Sequence, residues 1–456
     1  MNKNRFYFIL PDKFNRSVLL ISTDSGWMLP YCETSGDIDL MNTKFFNKTV
    51  REQFDLSVTT LCAFEAIDNE NAVNIVAFEN HTPEWKPPET SSWVSLQELD
   101  SLLFAKAFHK SLLEAWFAES SEIDNPMAPW SKIGWFDKAS LWVINQLYRL
   151  GITVISPVEQ VKSFYTGGTL RVNTDIGYIY LKAFPAGFVR ELEITQTLMQ
   201  LSLINMPTPI VFDSENCWML MPDIGGTDLR EISDMDVWKD VVRQYAGLQI
   251  RSVSLVDRLL KGSFFDMRIH TMLSEVEMVI AQSHRLLRGY YEPLSDEELE
   301  KLRSLLPCLM SLCARVESYG IPYTLDHGDL HAGNIRITKN GPVFYDWSWS
   351  SVTHPFITLA SLLYATKWLS PEVKVDLRDT YLEEWTIYNS IDELRKLFSL
   401  IEQLITLHHV IMDAEWVSGI QKELKGNPLS YSFNEWTLRR RQYYLAKVVR
   451  RLIDRL

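Results

Sequence analysis

The stretch "HGDLHAGNIRITKNGPVFYDW", His327 to Trp347, constrains what this chain can fold into more than any other part of it. "IRIT" and "VFY" are strand-like runs, and the Asn340-Gly341 pair between them is a strong short-range hairpin signal. A hairpin there carries Asp346 back beside Asn334. Two oxygen donors then converge on one hard cation, an arrangement that fits Mg²⁺ with water and phosphate oxygens completing its shell. Asp329, in the turn-like loop ahead of the hairpin, is positioned to take a proton from a hydroxyl. A base, metal ligands and a lysine on the nucleotide are most of what phosphoryl transfer asks of a protein.

The patterning changes along the 456 residues. Residues 1–120 read as strands ("RFYFIL", "SVLLIST", "LSVTTLCAFEAI", "AVNIVAFEN") followed by a helix, "LQELDSLLFAKAFHKSLLEAWFAE". Residues 121–156 read as the proline-bearing linker "SSEIDNPMAPW" and a connecting helix stopped by Gly151. Residues 157–222 read as strands around the turns "TGGT" and "DIG", a helix "FVRELEITQTLMQL", then "PIVF" and "CWMLM". Residues 223–456 are mainly helical apart from the loop and hairpin of 327–347. Their last segment, "TLRRRQYYLAKVVRRLIDRL", holds seven Lys/Arg against one Asp, with Leu445, Val448, Val449, Leu452 and Leu456 at helical spacing. A basic amphipathic helix docked on an acidic domain is expected. The fold class is therefore α+β: a small β-rich lobe joined to a large helical lobe, behind an N-terminal α/β domain.

"HGDLHAGN" followed by "YDW" resembles the aminoglycoside phosphotransferase and choline kinase group. The resemblance implies a protein-kinase-like, two-lobed fold. It also implies Mg²⁺-dependent transfer of the γ-phosphate of ATP, or another nucleoside triphosphate, to a small-molecule hydroxyl. On this resemblance Asp329 is the catalytic base, and Asn334 and Asp346 hold the metal. Lys182, at the end of "YIYLK", would reach the phosphates, paired with Glu191 on the next helix or, as alternate, Glu193. "CWMLMPDIGG" resembles the segment that meets adenine with backbone groups, here Met221, Pro222, Asp223 and Ile224. Pro222 has no N–H and can offer only its carbonyl. Gly167 and Gly168 of "TGGT" either cradle phosphate through backbone N–H groups or make a tight hairpin. Thr358 departs from the pattern, standing where these proteins often have an Asp. With no long segment between Asp346 and the helix "ITLASLLYATKWL", a small-molecule acceptor is expected rather than a protein. A nucleotide-binding regulator without turnover is the alternative.

A formal net charge of −13 argues against whole-surface attraction to nucleic acid or an anionic membrane and suits a cationic small acceptor. Acids on the helical lobe, among them Asp413 and Glu415, are candidates to face that acceptor. Five cysteines with no CxxC pair point to reduced thiols. With no run of eighteen apolar residues and no signal-peptide core, a cytoplasmic location is expected. Oligomeric state has no signature in the sequence.

"GWMLPYCETSGD", "VREQFDLSVTTL" and "WVSLQELDSLL" resemble, in order, parts of a Nudix domain. Active members need a glutamate cluster on one helix for Mg²⁺. Glu52 is present, but Gln53 and Thr49 stand where the other acids belong, and Tyr31-Cys32 where glycines usually do. A degenerate, inactive Nudix-like domain is expected at residues 1–120.

Overall fold

The computed structural model describes residues 4–455 apart from 13, 15, 37, 69–70, 83, 121–127, 165–166, 186–188, 203–204, 288–291 and 424–432. Most of the expected linker "SSEIDNPMAPW" lies outside them. The chain divides into two units: Met1–Ala186, Val211–Met221 and Gln421–Leu438 form the first, and Gly187–Ile210, Pro222–Ile420 and Arg439–Leu456 the second.

The first unit begins with β1 (Asn4–Ile9), β2 (Ser17–Thr23), β3 (Gly26–Met28), β4 (Tyr31–Thr34), α1 (Thr43–Phe54), β5 (Val58–Asp68), β6 (Asn71–Asn80) and β7 (Ser91–Ser95). Two sheets result, in the orders β4-β1-β6-β5 and β3-β2-β7, with β1 and β6 parallel. Asn42 caps α1 by accepting from the Phe45 N–H, and Asp55 ends it in the left-handed region at φ 55°. Phe46 and Val50, one turn apart, bury the apolar face of α1 with Phe6, Phe8, Val76 and Phe78.

One long helix was expected from Leu96 onward, but the structure breaks it. A 3₁₀ turn spans Leu96–Ser101 and α2 begins only at Ala107, running to Ser120. The backbone between them is engaged elsewhere: Trp27 N–H donates to the Leu103 carbonyl and Ala105 N–H to the Trp27 carbonyl, at 2.8 and 2.9 Å. The Leu103 carbonyl and the Ala105 N–H, paired with Trp27, are thereby diverted from the hydrogen bonds a continuous helix would need.

The same unit continues with α3 (Trp135–Arg149), β8 (Glu159–Phe164), β9 (Gly167–Thr174), β10 (Gly177–Ala183), β11 (Val211–Asp213) and β12 (Trp218–Pro222), in the sheet order β11-β12-β10-β9-β8. Helix α3, read from the sequence as a connector, is core: Trp135, Ala139, Val143 and Leu147 pack on Leu170, Val172, Ile179 and Leu181. Polar side chains join the two halves. Gln160 on β8 donates to the Thr60 carbonyl and accepts from its N–H, while Ser131 and Ser163 donate to the Leu61 carbonyl.

The second unit holds α4 (Arg190–Leu201), β13 (Thr227–Asp228), α5 (Met235–Ser252), α6 (Val256–Leu260), β14 (Phe265–Asp266), α7 (Ile269–Ala281), α8 (Ser283–Leu286), α9 (Asp296–Ser304) and α10 (Leu306–Glu317). It continues with β15 (Thr324–Asp326), β16 (Ile335–Thr338), β17 (Gly341–Phe344), β18 (Ser351–Thr353), α11 (Pro355–Ala365), α12 (Pro371–Glu383) and most of α13 (Ile391–Glu423) and α14 (Phe433–Arg455). Helix α5 packs on β15 and α12, and Trp238, Phe356, Tyr381, Trp385 and Phe398 are fully buried. Leu445, Val449 and Leu452 bury the apolar stripe of α14, and Arg450 pairs with Glu298 at 2.6 Å. No helix among the described residues is long and apolar enough to cross a membrane.

Candidate active site

The loop after β15 owes its course to one glycine. Gly328 sits at φ 78°, and a Cβ there would lie 1.9 Å from the Trp349 carbonyl oxygen. Only a residue without a side chain lets the two backbone segments approach this closely. Gly328→Ala is expected to destabilise the chain by about 2–4 kcal/mol, combining the left-handed backbone with a forced displacement. Gly320 is the control, since it has φ 67° but nothing within 4 Å of the place a Cβ would take. If urea denaturation shows equal losses for Gly320→Ala and Gly328→Ala, the close approach is not what constrains the loop.

Beyond Asp329 the chain makes a 3₁₀ turn, Ala332–Asn334, capped by His331 Nδ1 accepting from the Gly333 N–H at 3.0 Å. The hairpin β16-β17 follows as expected, pairing Ile335 with Phe344 and Thr338 with Gly341. Its two-residue turn is Lys339-Asn340, so Gly341 serves as the first strand residue, at φ 102°. This register returns Tyr345 to Asn334, the Tyr345 N–H donating to the Asn334 carbonyl at 3.1 Å.

Asp329, Asn334 and Asp346 come together in the second unit. Asn334 is buried and donates through Nδ2 to the Asp329 backbone carbonyl at 2.9 Å. That leaves its Oδ1 as an acceptor. Asp346 is held in the left-handed region at φ 68°, costly for a non-glycine residue, and such strain concentrates at functional sites. The Asp329 carboxyl is pushed up to about 6, first by burial of its surroundings and then by Asp346 and Asp326, against the opposing pull of His331 and Arg441. Solvent still reaches 55% of that side chain, so water screens part of the effect.

Supporting residues to which the sequence reading assigned no role hold this loop. Asp326, immediately before the quoted motif, is buried and accepts from Ser351 Oγ at 2.9 Å and from Thr358 Oγ1. Thr358, noted as a departure, thus hydrogen-bonds a carboxylate supplied from another element. Tyr245 on α5 accepts from the His327 N–H at 3.1 Å. His327 is fully buried, its pKa lowered to about 4 by desolvation, and its Nε2 lies 2.9 Å from the Tyr345 carbonyl. A carbonyl only accepts, so the neutral ring carries its proton on Nε2. His327 and His331 serve different partners, the Tyr345 carbonyl and the Gly333 N–H. The signal for Asp326 was its position at the end of the strand "TLD".

A cavity of about 230 Å³ in the second unit is lined by Asp329, His331, Trp349, Tyr364, Asp413 and Trp416, among others. Burial raises the Asp413 carboxyl to about 6. Arg441, from α14, lies 3.2 Å from the Trp416 ring centroid; burial lowers its pKa to about 10, while Asp413 and Asp329 favour its charge. Several other candidate acids are engaged elsewhere: Asp266 with Arg268, Asp376 with Lys239, and Asp379 with Arg378 and Arg395.

The remaining sequence candidates are distributed over both units. Lys182 is on β10 opposite Thr169, with its Nζ 5.8 Å from the Phe184 ring centroid. Glu191 is on the first turn of α4 and only 5% exposed, whereas Glu193 is exposed and accepts from Ser263 Oγ. Gly167 and Gly168 open β9, and a Cβ on Gly168 would meet the Trp130 ring at 2.9 Å. Packing against Trp130 therefore accounts for that glycine. Met221 ends the first unit's share of β12; Pro222, Asp223 and Ile224 line a cavity of about 550 Å³ in the second unit, opposite Ile337 and Lys339 of the hairpin.

Fold and site together define a mixed helix-and-sheet chain in which a loop and a hairpin of the helical unit gather two carboxylates and an amide. Residues 169–394 match the family model described as "Phosphotransferase enzyme family". Among solved structures, a choline kinase from Streptococcus pneumoniae is similar at 15% identity and a TM-score of 0.41, over 68% of this chain and 99% of that one. Plasmodium vivax ethanolamine kinase is similar at 15% identity and 0.38, over 62% and 80%. A macrolide 2′-phosphotransferase from Brachybacterium faecium is similar at 11% and 0.45, over 65% and 100%. No curated protein matches the chain.

Proposed function

We propose that the chain is a small-molecule O-phosphotransferase that uses ATP, or another nucleoside triphosphate, and Mg²⁺. The observation that carries this reading is the grouping of Asp329, Asn334 and Asp346, beside the family match over residues 169–394. Asn334 Oδ1 and the Asp346 carboxylate are the proposed metal ligands, and an all-oxygen donor set suits a hard cation. Mg²⁺ bound there supplies charge neutralisation at the phosphate oxygens. Asp329 takes the acceptor's hydroxyl proton as that oxygen bonds to the γ-phosphorus and the bond to the β–γ bridging oxygen breaks. Lys182 is the proposed phosphate ligand, with Glu191 as its carboxylate, and Met221, Pro222, Asp223 and Ile224 are the proposed base contacts. Asp413 and the rings of Trp349 and Tyr364 suit a cationic acceptor, while Arg441 already covers Trp416.

The test is incubation with Mg²⁺ and ATP against a panel of aminoglycosides, amino alcohols, sugars and amino acids, followed by mass spectrometry. One acceptor class is expected to gain a phosphoryl group. Absence of both a product and any nucleotide-induced thermal stabilisation overturns the proposal. The second reading, a nucleotide binder without turnover, draws on the placement of Gly167 and Gly168 within a strand; stabilisation by nucleotide with no product across the panel would favour it.

For the N-terminal part we propose a Nudix-like fold without hydrolase activity. Supporting this, α1 carries Glu52 as its one acid, exposed and 3.5 Å from Lys48.

A further inference from the structure

Away from the proposed active site, the first unit brings together three side chains that neither the motif nor the proposed reaction uses. Glu79 lies near the end of β6, His81 just beyond it, and Asp137 in the first turn of α3. One ligating atom from each lies within 4.8 Å of the others. Such a cluster means little alone, but Glu79 is only 6% exposed and its Oε2 is buried with no hydrogen-bond partner. Its other oxygen accepts from the Gly134 N–H at 2.6 Å, which fixes the carboxyl group in place. A buried acceptor left without a donor costs free energy that a bound cation would recover.

The histidine is prepared in the same sense. His81 Nε2 lies 2.9 Å from Thr59 Oγ1, and the ring packs 5.1 Å from Phe136. With the proton on Nε2 and donated to Thr59, the Nδ1 lone pair faces Asp137, 3.8 Å from its Oδ1. A ligating imidazole held through its other nitrogen is the usual support of a metal site. Asp137 is 75% exposed, so its side chain can move inward and solvent can fill a fourth position.

We propose that Glu79, His81 and Asp137 form a binding site for a divalent transition metal, of which Zn²⁺ is the best fit. One imidazole and two carboxylates are suitable ligands for Zn²⁺, and a hard ion such as Mg²⁺ would not select the nitrogen. The ion would clamp β6 to the start of α3 within the first unit. The site is independent of the proposed phosphotransferase chemistry.

The test uses the untagged full chain, stripped with chelator and kept in excess Mg²⁺ so that oxygen-only sites stay filled. Co²⁺ is then titrated while its visible absorption is followed, and Zn²⁺ is measured by competition. One equivalent is expected, with nitrogen-containing coordination and a raised melting temperature. Asp137→Asn, at an exposed position, and Glu79→Gln are each expected to weaken binding by about tenfold or more, as is His81→Gln. Melting of each variant without metal checks that it is folded. Absence of binding to the unaltered chain overturns the proposal, as does an unchanged spectrum and stoichiometry in folded Asp137→Asn and Glu79→Gln.

Discussion

Asp329→Asn is expected to cut phosphoryl transfer by ~10²–10⁴-fold while leaving nucleotide affinity within a few-fold of its starting value. The change keeps the side chain's shape and removes only its capacity to take the acceptor's proton. Asn334 donates to the Asp329 backbone carbonyl rather than to its carboxylate, so the substitution leaves that hydrogen bond in place. The proposed ligands should behave differently: Asp346→Asn is expected to raise the Mg²⁺ concentration needed for half-maximal rate. Single-turnover kinetics with an acceptor from the panel, alongside nucleotide binding, separates the two effects. If Asp329→Asn turns over at the original rate, Asp329 is not the base.

The second large effect concerns acid. His354 is 2% exposed, caps α11 by accepting from the Phe356 N–H through Nδ1, and has its pKa lowered by burial to about 3. The unfolded chain, near 6.5, therefore binds this proton where the folded chain does not. The stability tied to a neutral His354 is complete above about pH 6.5 and is lost as pH falls through the folded value. Asn caps a helix equally well and does not titrate. His354→Asn is thus expected to gain on the unaltered chain by ~1.4 kcal/mol per pH unit between about pH 6 and 4. Any packing loss from the substitution is independent of pH and only offsets the line. Using the difference matters because raised acids oppose the trend: Glu79, pushed up to about 7, and Asp413, up to about 6, contribute most when protonated and lose that contribution as pH rises. Urea midpoints across this range decide it, and parallel curves for the two proteins would refute the buried, neutral His354.

Much of the candidate site was legible because it is local. The loop and hairpin are written in turn chemistry and strand alternation over a short span, and the return of Asp346 toward Asn334 follows from the hairpin register. Even there a detail escaped, since Gly341 is needed after the turn rather than at its centre.

What the sequence determined by itself was the hairpin and the alternation of strand-rich and helical stretches, set by interactions between near neighbours, whereas the course of the loop also needed Trp349 and Tyr245. Tertiary structure alone decided that Thr358 would hydrogen-bond Asp326, that Arg441 would lie over Trp416, and that α3 would be core rather than connector. It also ended the expected helix after Leu96, because pairing with Trp27 engages the backbone needed to continue it. The physical reason is common to these cases: the partner is far away in sequence, and no periodicity or spacing encodes which distant donor, ring or strand will arrive.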